Sequence, residues 1–345
     1  MKRTLFALLT VLLVALLAVS VSAAAVEIGS ASQLAALMGS TDDAALAKDY
    51  ILTQDIDLSG VSNQKPIGSK DHPFTGSFDG DGHTVSGINI KTTTAVSTGL
   101  FGHVAGTVTI EDLTASGTIS TTGAAANVGV GMVGFAGGVK DSTVTIRNCV
   151  NNCDITGKTS SSEPRVGGIL GLFSRDGKTN VNLVIENCIN HGDITGYKHI
   201  GGIVGRIHES TSASSSAGTG AVTVSGCSNF GNIVASADGA GGMIGPILIN
   251  KSSVTVKNCY NAGSVEASER VGGIVGIAYT YSANASSSNI LEMLFHVFGT
   301  FFGVDIAFSI FCRFLPKDCP RRTSFCTNLA ISTSVFKDGK FAFHG

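Results

Sequence analysis

Apolar and polar residues alternate along four stretches of the chain: TVTIRNCVNNCDIT (143–156), LVIENCINHGDIT (183–195), VTVSGCSNFGNIV (222–234) and VTVKNCYNAGSVE (254–266). A period of two is the mark of strands that bury one face. The inward positions are aliphatic: Val144 and Ile146, Leu183 and Ile185, Val222 and Val224, Val254 and Val256. A second short alternation follows in each copy, with Ile155, Ile194, Ile233 and Val265 at its inward place. A fifth copy, TVTIEDLTASGTIS (107–120), carries Leu113 where the others have cysteine. Just before that place stand Asp112, Asn148, Asn187, Gly226 and Asn258, the residue types that tolerate a left-handed backbone, so a corner is expected there.

Each copy then runs through a variable connection into a glycine motif: VGGILG (166–171), HIGGIVG (199–205), AGGMIG (240–245) and VGGIVG (271–276), with degenerate forms at 130–134 and 98–102. The unit is about 31 to 40 residues long. Three short strands separated by corners, with HIGGIVG as the third, predict one turn of an all-β parallel solenoid. In such a stack the pairs Gly167–Gly168, Gly201–Gly202, Gly241–Gly242 and Gly272–Gly273 let the backbone bend or approach a neighbour, while Ile203 and its equivalents fill the core. Equivalent residues should also stack. Cys149, Cys188, Cys227 and Cys259 form one expected internal row, and Asn151, Asn190, Asn229 and Asn261 a second whose amides bond from coil to coil. Both rows are expected to be structural. A membrane-helix reading of the glycine motifs is excluded by the period-two strands around every copy.

The ends differ from this middle. Lys2 and Arg3, the apolar run Leu5 to Val19 and the small residues Val21-Ser22-Ala23 make residues 1–25 an expected signal peptide, and the protein therefore exported, either secreted or held at the cell surface. Residues 26–106 are assigned to an N-terminal cap and the first coils. Residues 26–48 are expected to precede the first coil, with Ser30 or Ser32 as N-cap of a short helix over Gln33 to Met38 that covers the open end of the solenoid. The repeat solenoid occupies 107–285. From 286 to 345 the composition changes, with 11 of the 18 phenylalanines and only 4 of the 44 glycines. A solenoid is expected to end in a polar cap, so this apolar tail reads as a frame-shifted or mis-joined end. Residues 290–316 are long enough to cross a bilayer, but Glu292, His296 and Asp305 would be costly there. Membrane contact is expected only if that segment is genuine.

The stretches YILTQDIDLSG (50–60), PIGS (66–69), PFTGSFDGDGHTVSGI (73–88) and TGLFG (98–102), together with the later Gly-Gly-Ile-Val-Gly copies, resemble bacterial surface proteins that carry the GLUG motif. The likeness covers roughly 50–285. It implies a right-handed parallel β-helix on secreted or wall-attached proteins, among them adhesin-like chains and the N-terminal regions of some immunoglobulin-cleaving metallopeptidases. No His-Glu-x-x-His occurs in the chain, so the peptidase activity does not carry over.

Charge narrows the partners. With 23 Lys and Arg against 25 Asp and Glu, and no basic run beyond Arg321-Arg322, no nucleic-acid groove is expected. Asp79-Gly80-Asp81-Gly82-His83 begins like a cation loop, but Ile90 stands where the closing glutamate belongs, so a turn is expected. A carbohydrate-active β-helix would need Asp55, Asp57, Asp154 and Asp193 to converge. The row Asp154, Asp193, Asn232, Ser264 instead loses charge along its length and reads as a solvated edge. The cysteines are expected as free buried thiols; Cys153, four residues from Cys149, has no histidine partners for zinc, and neither metal nor cofactor is expected. The heptad-spaced Cys312, Cys319 and Cys326 show no ligand pattern. His199 shares its repeat position with Arg165, Gly239 and Arg270 and is expected at an exposed corner. The connections 172–179, 207–220 and 246–252 vary most and are candidate binding loops. Together these features predict a non-catalytic, adhesin-like scaffold that binds a glycan or an extracellular protein through coil faces and variable loops. The alternatives are a carbohydrate-active β-helix enzyme, or a stalk for a missing C-terminal domain.

Overall fold

The computed structural model describes residues 24–123, 125, 127–159, 164–175, 177–209, 219–249, 253–280, 292–301 and 304–313. The signal peptide expected over 1–25 lies outside them except for Ala24 and Ala25, and so does most of the tail.

Parallel strands stack coil on coil into a solenoid, with very few helices. The first sheet runs from Val26–Ile28 through Tyr50–Leu52, Phe78–Asp79, Val108–Glu111, Ser142–Arg147, Val181–Glu186, Ala221–Ser225 and Ser253–Lys257 to an antiparallel pair, Glu292–Phe301 and Val304–Arg313, in the tail. Its strands alternate as the period of two demands: Val144, Ile146, Leu183 and Ile185 are fully buried, and the residues between them are not. A left-handed residue follows each strand from Val108–Glu111 to Ser253–Lys257, at Asp112, Asn148, Asn187, Gly226 and Asn258, with φ of 50°, 54°, 53°, 66° and 54°. The side chains at this corner bond along the outside of the stack, Asn148 Nδ2 donating to Asp112 Oδ1 (3.0 Å) and Asn187 Nδ2 to Asn148 Oδ1 (3.3 Å).

The start of the chain differs from expectation. Val26–Ile28 does not precede the first coil; it pairs in parallel with Tyr50–Leu52 and is its first strand. Helix α1 (Ala31–Leu37) follows, capped by Ser30, whose hydroxyl accepts from Gln33 N (3.3 Å) while Gln33 Oε1 accepts from Gly29 N (2.9 Å). A short helix α2 (Asp43–Leu46) comes next, with Asp42 as N-cap. Leu34, Leu37 and Leu46 are buried, so the pair closes the strand edges and apolar core at this end. Just inside, Phe74, Phe78 and Phe101 are fully buried and pack with ring centroids 5.4 and 5.2 Å apart.

A full coil contains four strands rather than three. After the corner the second sheet begins (Val150–Thr156, then Ile189–Asn190 with Ile194–Gly196, and Ser228–Asn229 with Ile233–Ala235). A third, five-stranded sheet follows (Arg165–Gly167, Ile200–Gly201, Asp238–Gly241), and then a fourth, six-stranded one (Leu170–Ser174, Val204–His208, Ile244–Ile249). HIGGIVG is therefore two strands and a bend: Gly201 ends one, Val204 begins the next, and Gly202-Ile203 turn between them with Ile203 fully buried. A β-carbon on Gly202 would collide with the carbonyl oxygen of Gly242 and the Asn229 carboxamide of the next coil. Gly168 stands in the same relation to Asn190, and Gly242 to Asn261, each 2.5 Å from the Cγ.

The asparagines behind those glycines are fully buried at Asn151, Asn190 and Asn229. Each Nδ2 donates to the Oδ1 of the next, Asn151 to Asn190, Asn190 to Asn229 and Asn229 to Asn261, at 2.7 Å every time. Its second proton goes to the carbonyl two residues on, Cys153, Gly192, Gly231 or Gly263, at 2.9 to 3.0 Å. Asn190→Leu removes both donors and orphans the Asn229 acceptor, and should cost about 2–4 kcal/mol. Gly202→Ala should cost a similar amount by overpacking. Gly273→Ala, with nothing within 4 Å of the new methyl, should stay within about 0.5 kcal/mol. Thermal and urea unfolding of the three variants checks the order.

Candidate functional site

Inward residues of a solenoid are committed to packing, so binding chemistry has to stand on its outer faces. On the second sheet Asn190 points in, and the residues on either side of it point out. Ile189, Ser228 and Tyr260 share one register column, while His191 and Phe230 follow the paired asparagines. The His191 and Phe230 rings stack with centroids 5.0 Å apart and planes at 14°, and Tyr260 meets Phe230 edge-on at 6.2 Å. Phe230 and Tyr260 are 45% and 55% exposed, and Val234 on the same sheet is 38% exposed. Phe230 and Tyr260, in contact with each other and with His191, make an exposed aromatic patch.

Beside the aromatic row runs the exposed row Asp154, Asp193, Asn232, Ser264. Asp154 Oδ1 accepts from Asp193 N (3.0 Å), Asp193 Oδ1 from Asn232 N (2.8 Å), and Asn232 Oδ1 from the Ser264 hydroxyl (2.8 Å). The row ties each coil to the next and keeps its remaining oxygens in solvent.

The other carboxylates do not join it. Asp55 Oδ1 accepts from Thr84 N (2.8 Å) and lies 3.3 Å from His83 Nδ1; the amide bond holds its pKa below the usual carboxylate value. Asp57 is held by the amide and hydroxyl of Ser59, and its pKa is lowered by them. Asp57 is in register with Ser86, whereas Asp154 faces Thr118 and through it Asn89, so two strands and a shifted column separate them. The four aspartates make no acid–base pair. Asp79 accepts from Asp81 N (2.8 Å) in a turn with left-handed Asp81 and Gly82. No group of three metal-ligating side chains occurs among the described residues.

Cys149, Cys188, Cys227 and Cys259 are free, buried and stacked. Each thiol lies 3.2 to 3.3 Å from the carbonyl oxygen two residues before it. Leu113, in the cysteine-less coil, is buried in their place. Burial raises the Cys188 pKa, and it pushes Cys153 up to about 12 with help from Asp154. The row is a packing element.

The fourth sheet departs from the expectation that each strand buries one face. Leu170–Ser174 and Ile244–Ile249 are buried throughout, and the outward residues Phe135 and Leu172 are 4% and 2% exposed. The cause is the glycine bend, which folds the outer faces of the third and fourth sheets toward one another. A β-carbon on Gly239, in the His199 column of the third sheet, would stand 3.3 Å from His199 Cδ2 and 3.5 Å from Pro246 of the fourth. The exposed corner expected for this column is thus a groove wall: Arg165 is 3% exposed and His199 half-buried, while Arg270 at the end remains exposed. Burial, and then Arg165, Arg206, Lys198 and Arg270 around it, push the His199 pKa down to about 2, so the ring is neutral. Arg270 Nε donates to Asp238 Oδ1 (2.5 Å), and Arg206 Nη2 lies 3.3 Å from His208 Nδ1. Sequence reasoning assigned Arg165, His199 and Arg270 to one repeat position, which was the available signal, but read it with the wrong sign of exposure.

Sequence reasoning also missed a buried ion pair. Arg175 and Glu209, 0% and 1% exposed, meet at 2.8 Å, and Arg175 Nε donates to Val181 O (2.9 Å). The guanidinium sits 5.0 Å from the centre of the Phe173 ring. Burial lowers the Arg175 pKa and Glu209 opposes that fall. The pair fixes two of the variable connections at their roots. Of the connections proposed to bind, residue 176 of 172–179, residues 210–218 of 207–220 and residues 250–252 of 246–252 lie outside the described residues.

No protein-family model matches the chain. It is 33% identical over 156 residues to halomucin from Haloquadratum walsbyi, an alignment that spans 42% of this chain and 2% of halomucin. Among solved structures, a candidate immunoglobulin A1 protease from Bacteroides ovatus superposes with a TM-score of 0.45 at 22% identity, over 76% of this chain and 79% of that one.

Arg175→Met or Glu209→Gln leaves one buried charge unmatched and should cost about 3–5 kcal/mol, seen as a lower urea midpoint, whereas replacing both with apolar residues should recover much of the loss. Alkylation of the native chain, mapped by mass spectrometry, should leave Cys149, Cys153, Cys188, Cys227 and Cys259 unmodified at pH 8 and modify all five in denaturant.

Proposed function

We propose that the chain is an exported, non-catalytic surface scaffold of the GLUG-motif kind, adhesin-like in use, which binds a glycan through the outer face of its second sheet. The observation that carries this reading is the exposed row His191, Phe230 and Tyr260 beside the polar row Asp154, Asp193 and Asn232. A flat aromatic ring takes the apolar C–H face of a sugar, and carboxylate and amide oxygens next to it accept from the hydroxyls. Coils spaced about 4.8 Å apart set the three rings on successive coils along the axis, so an extended glycan lying along it meets one ring per coil. The separation of Asp55 and Asp57 from the Asp154–Asp193 row favours binding over hydrolysis.

Full-length protein on a glycan array should bind a defined subset of glycans. Phe230→Ser and Tyr260→Ser should each weaken that binding about tenfold, near 1.4 kcal/mol, with the unfolding temperature unchanged. A wild-type protein that binds neither glycans nor matrix proteins would instead be a stalk.

A further inference from the structure

We infer that the last coil, 253–280, is a docking end for one more coil of the same repeat, presented in parallel by another polypeptide. Among the described residues only the first sheet continues past it, where Lys257 is in register with His296. The second sheet ends on Tyr260–Asn261 and Val265–Glu266, the third on Glu269–Gly272 and the fourth on Val275–Thr280. These strand edges carry the backbone donors and acceptors that every earlier coil uses on its successor. The apolar side chains show the same step. Val222, Ile233, Met243, Ile244 and Ile247 are buried, whereas their equivalents one coil on, Val254, Val265, Ile274, Val275 and Ala278, are only partly so.

Two groups of this coil specify what fits on it. Asn151, Asn190 and Asn229 each give one amide proton to the asparagine of the following coil. Asn261 bonds Gly263 O (2.9 Å) as they bond their own loops, but its other proton meets no further asparagine among the described residues. Gly168, Gly202 and Gly242 each lie against the carboxamide of that same following asparagine, whereas a β-carbon on Gly273 would have nothing within 4 Å. A single asparagine on an incoming parallel coil therefore accepts from Asn261 and fills the space over Gly273. A second copy of this chain does not match: its first coil is closed by α1 and α2, and its last coil, turned to face this one, presents a donor to a donor. No Asn-x-Gly occurs in the chain after Gly263. The matching coil thus comes from another polypeptide, by strand addition. The inference does not rest on the reading given to the aromatic face.

A fluorescein-labelled peptide copying residues 253–276, added to the full-length protein under reducing conditions and followed by anisotropy, tests the site. It should bind saturably and raise the unfolding temperature. The same peptide with Asn261→Leu should bind about tenfold more weakly, and so should the unaltered peptide to the Gly273→Ala protein, whose own unfolding temperature is unchanged. Phe230→Ser protein should bind it as the wild type does. No saturable binding, as when the chain's own residues after 280 occupy the end, equal binding of the two peptides, or undiminished binding to the Gly273→Ala protein would overturn the proposal. A dimer in sedimentation that Gly273→Ala disperses and the peptide does not displace would assign the end to a second copy and overturn it as well.

Discussion

Identical coils stacked in register, about 4.8 Å apart, force every inward side chain to meet its own equivalent above and below. For apolar residues this is simple packing. For a polar residue it is a severe restriction, because the group must donate in one direction along the axis and accept in the other. A carboxylate fails by repulsion. A carboxamide satisfies the rule, and Asn151, Asn190, Asn229 and Asn261 do so at 2.7 Å from coil to coil, each with a second proton for its own loop. The row fixes register where a one-residue slip would unmake three buried hydrogen bonds at once.

The glycine motif depends on that row. Gly168, Gly202 and Gly242 leave the space that Asn190, Asn229 and Asn261 of the following coil occupy. Asn-x-Gly and Gly-Gly, distant in the unit, are two halves of one contact. The same bend turns the fourth sheet back against the third, so a requirement of the core creates the groove on the surface. The shorter bend at Gly131-Met132 shows the converse: with one residue fewer, no glycine there faces Asn151.

Much of this was legible in the sequence because repetition averages out local ambiguity. One VTVSGC is a weak strand signal, but four copies with the same inward positions define sheet, corner and stacking direction together. The left-handed corners followed directly from residue type at Asp112, Asn148, Asn187 and Asn258. What failed was geometry that no single copy encodes. Glycine-rich HIGGIVG has no polar break, so its bend was hidden inside an apparent strand. Arg165 and His199 looked like surface residues because their burial comes from the angle between two sheets. The Arg175–Glu209 pair joins two connections that share no sequence pattern, and nothing short of the fold brings them together.

The stack also explains where recognition can evolve. An inward position is bound by the coils on either side, so change there must be matched above and below. An outward position meets solvent and is free to differ from coil to coil. Two outward columns differ most in chemistry: Ile189, Ser228 and Tyr260 beside His191 and Phe230 on one face, and Arg165, His199, Gly239 and Arg270 in the groove. In the first, His191, Phe230 and Tyr260 bring aromatic rings of successive coils together. Their rings lie on neighbouring coils of one face because the stack brings equivalent outward positions together along the axis.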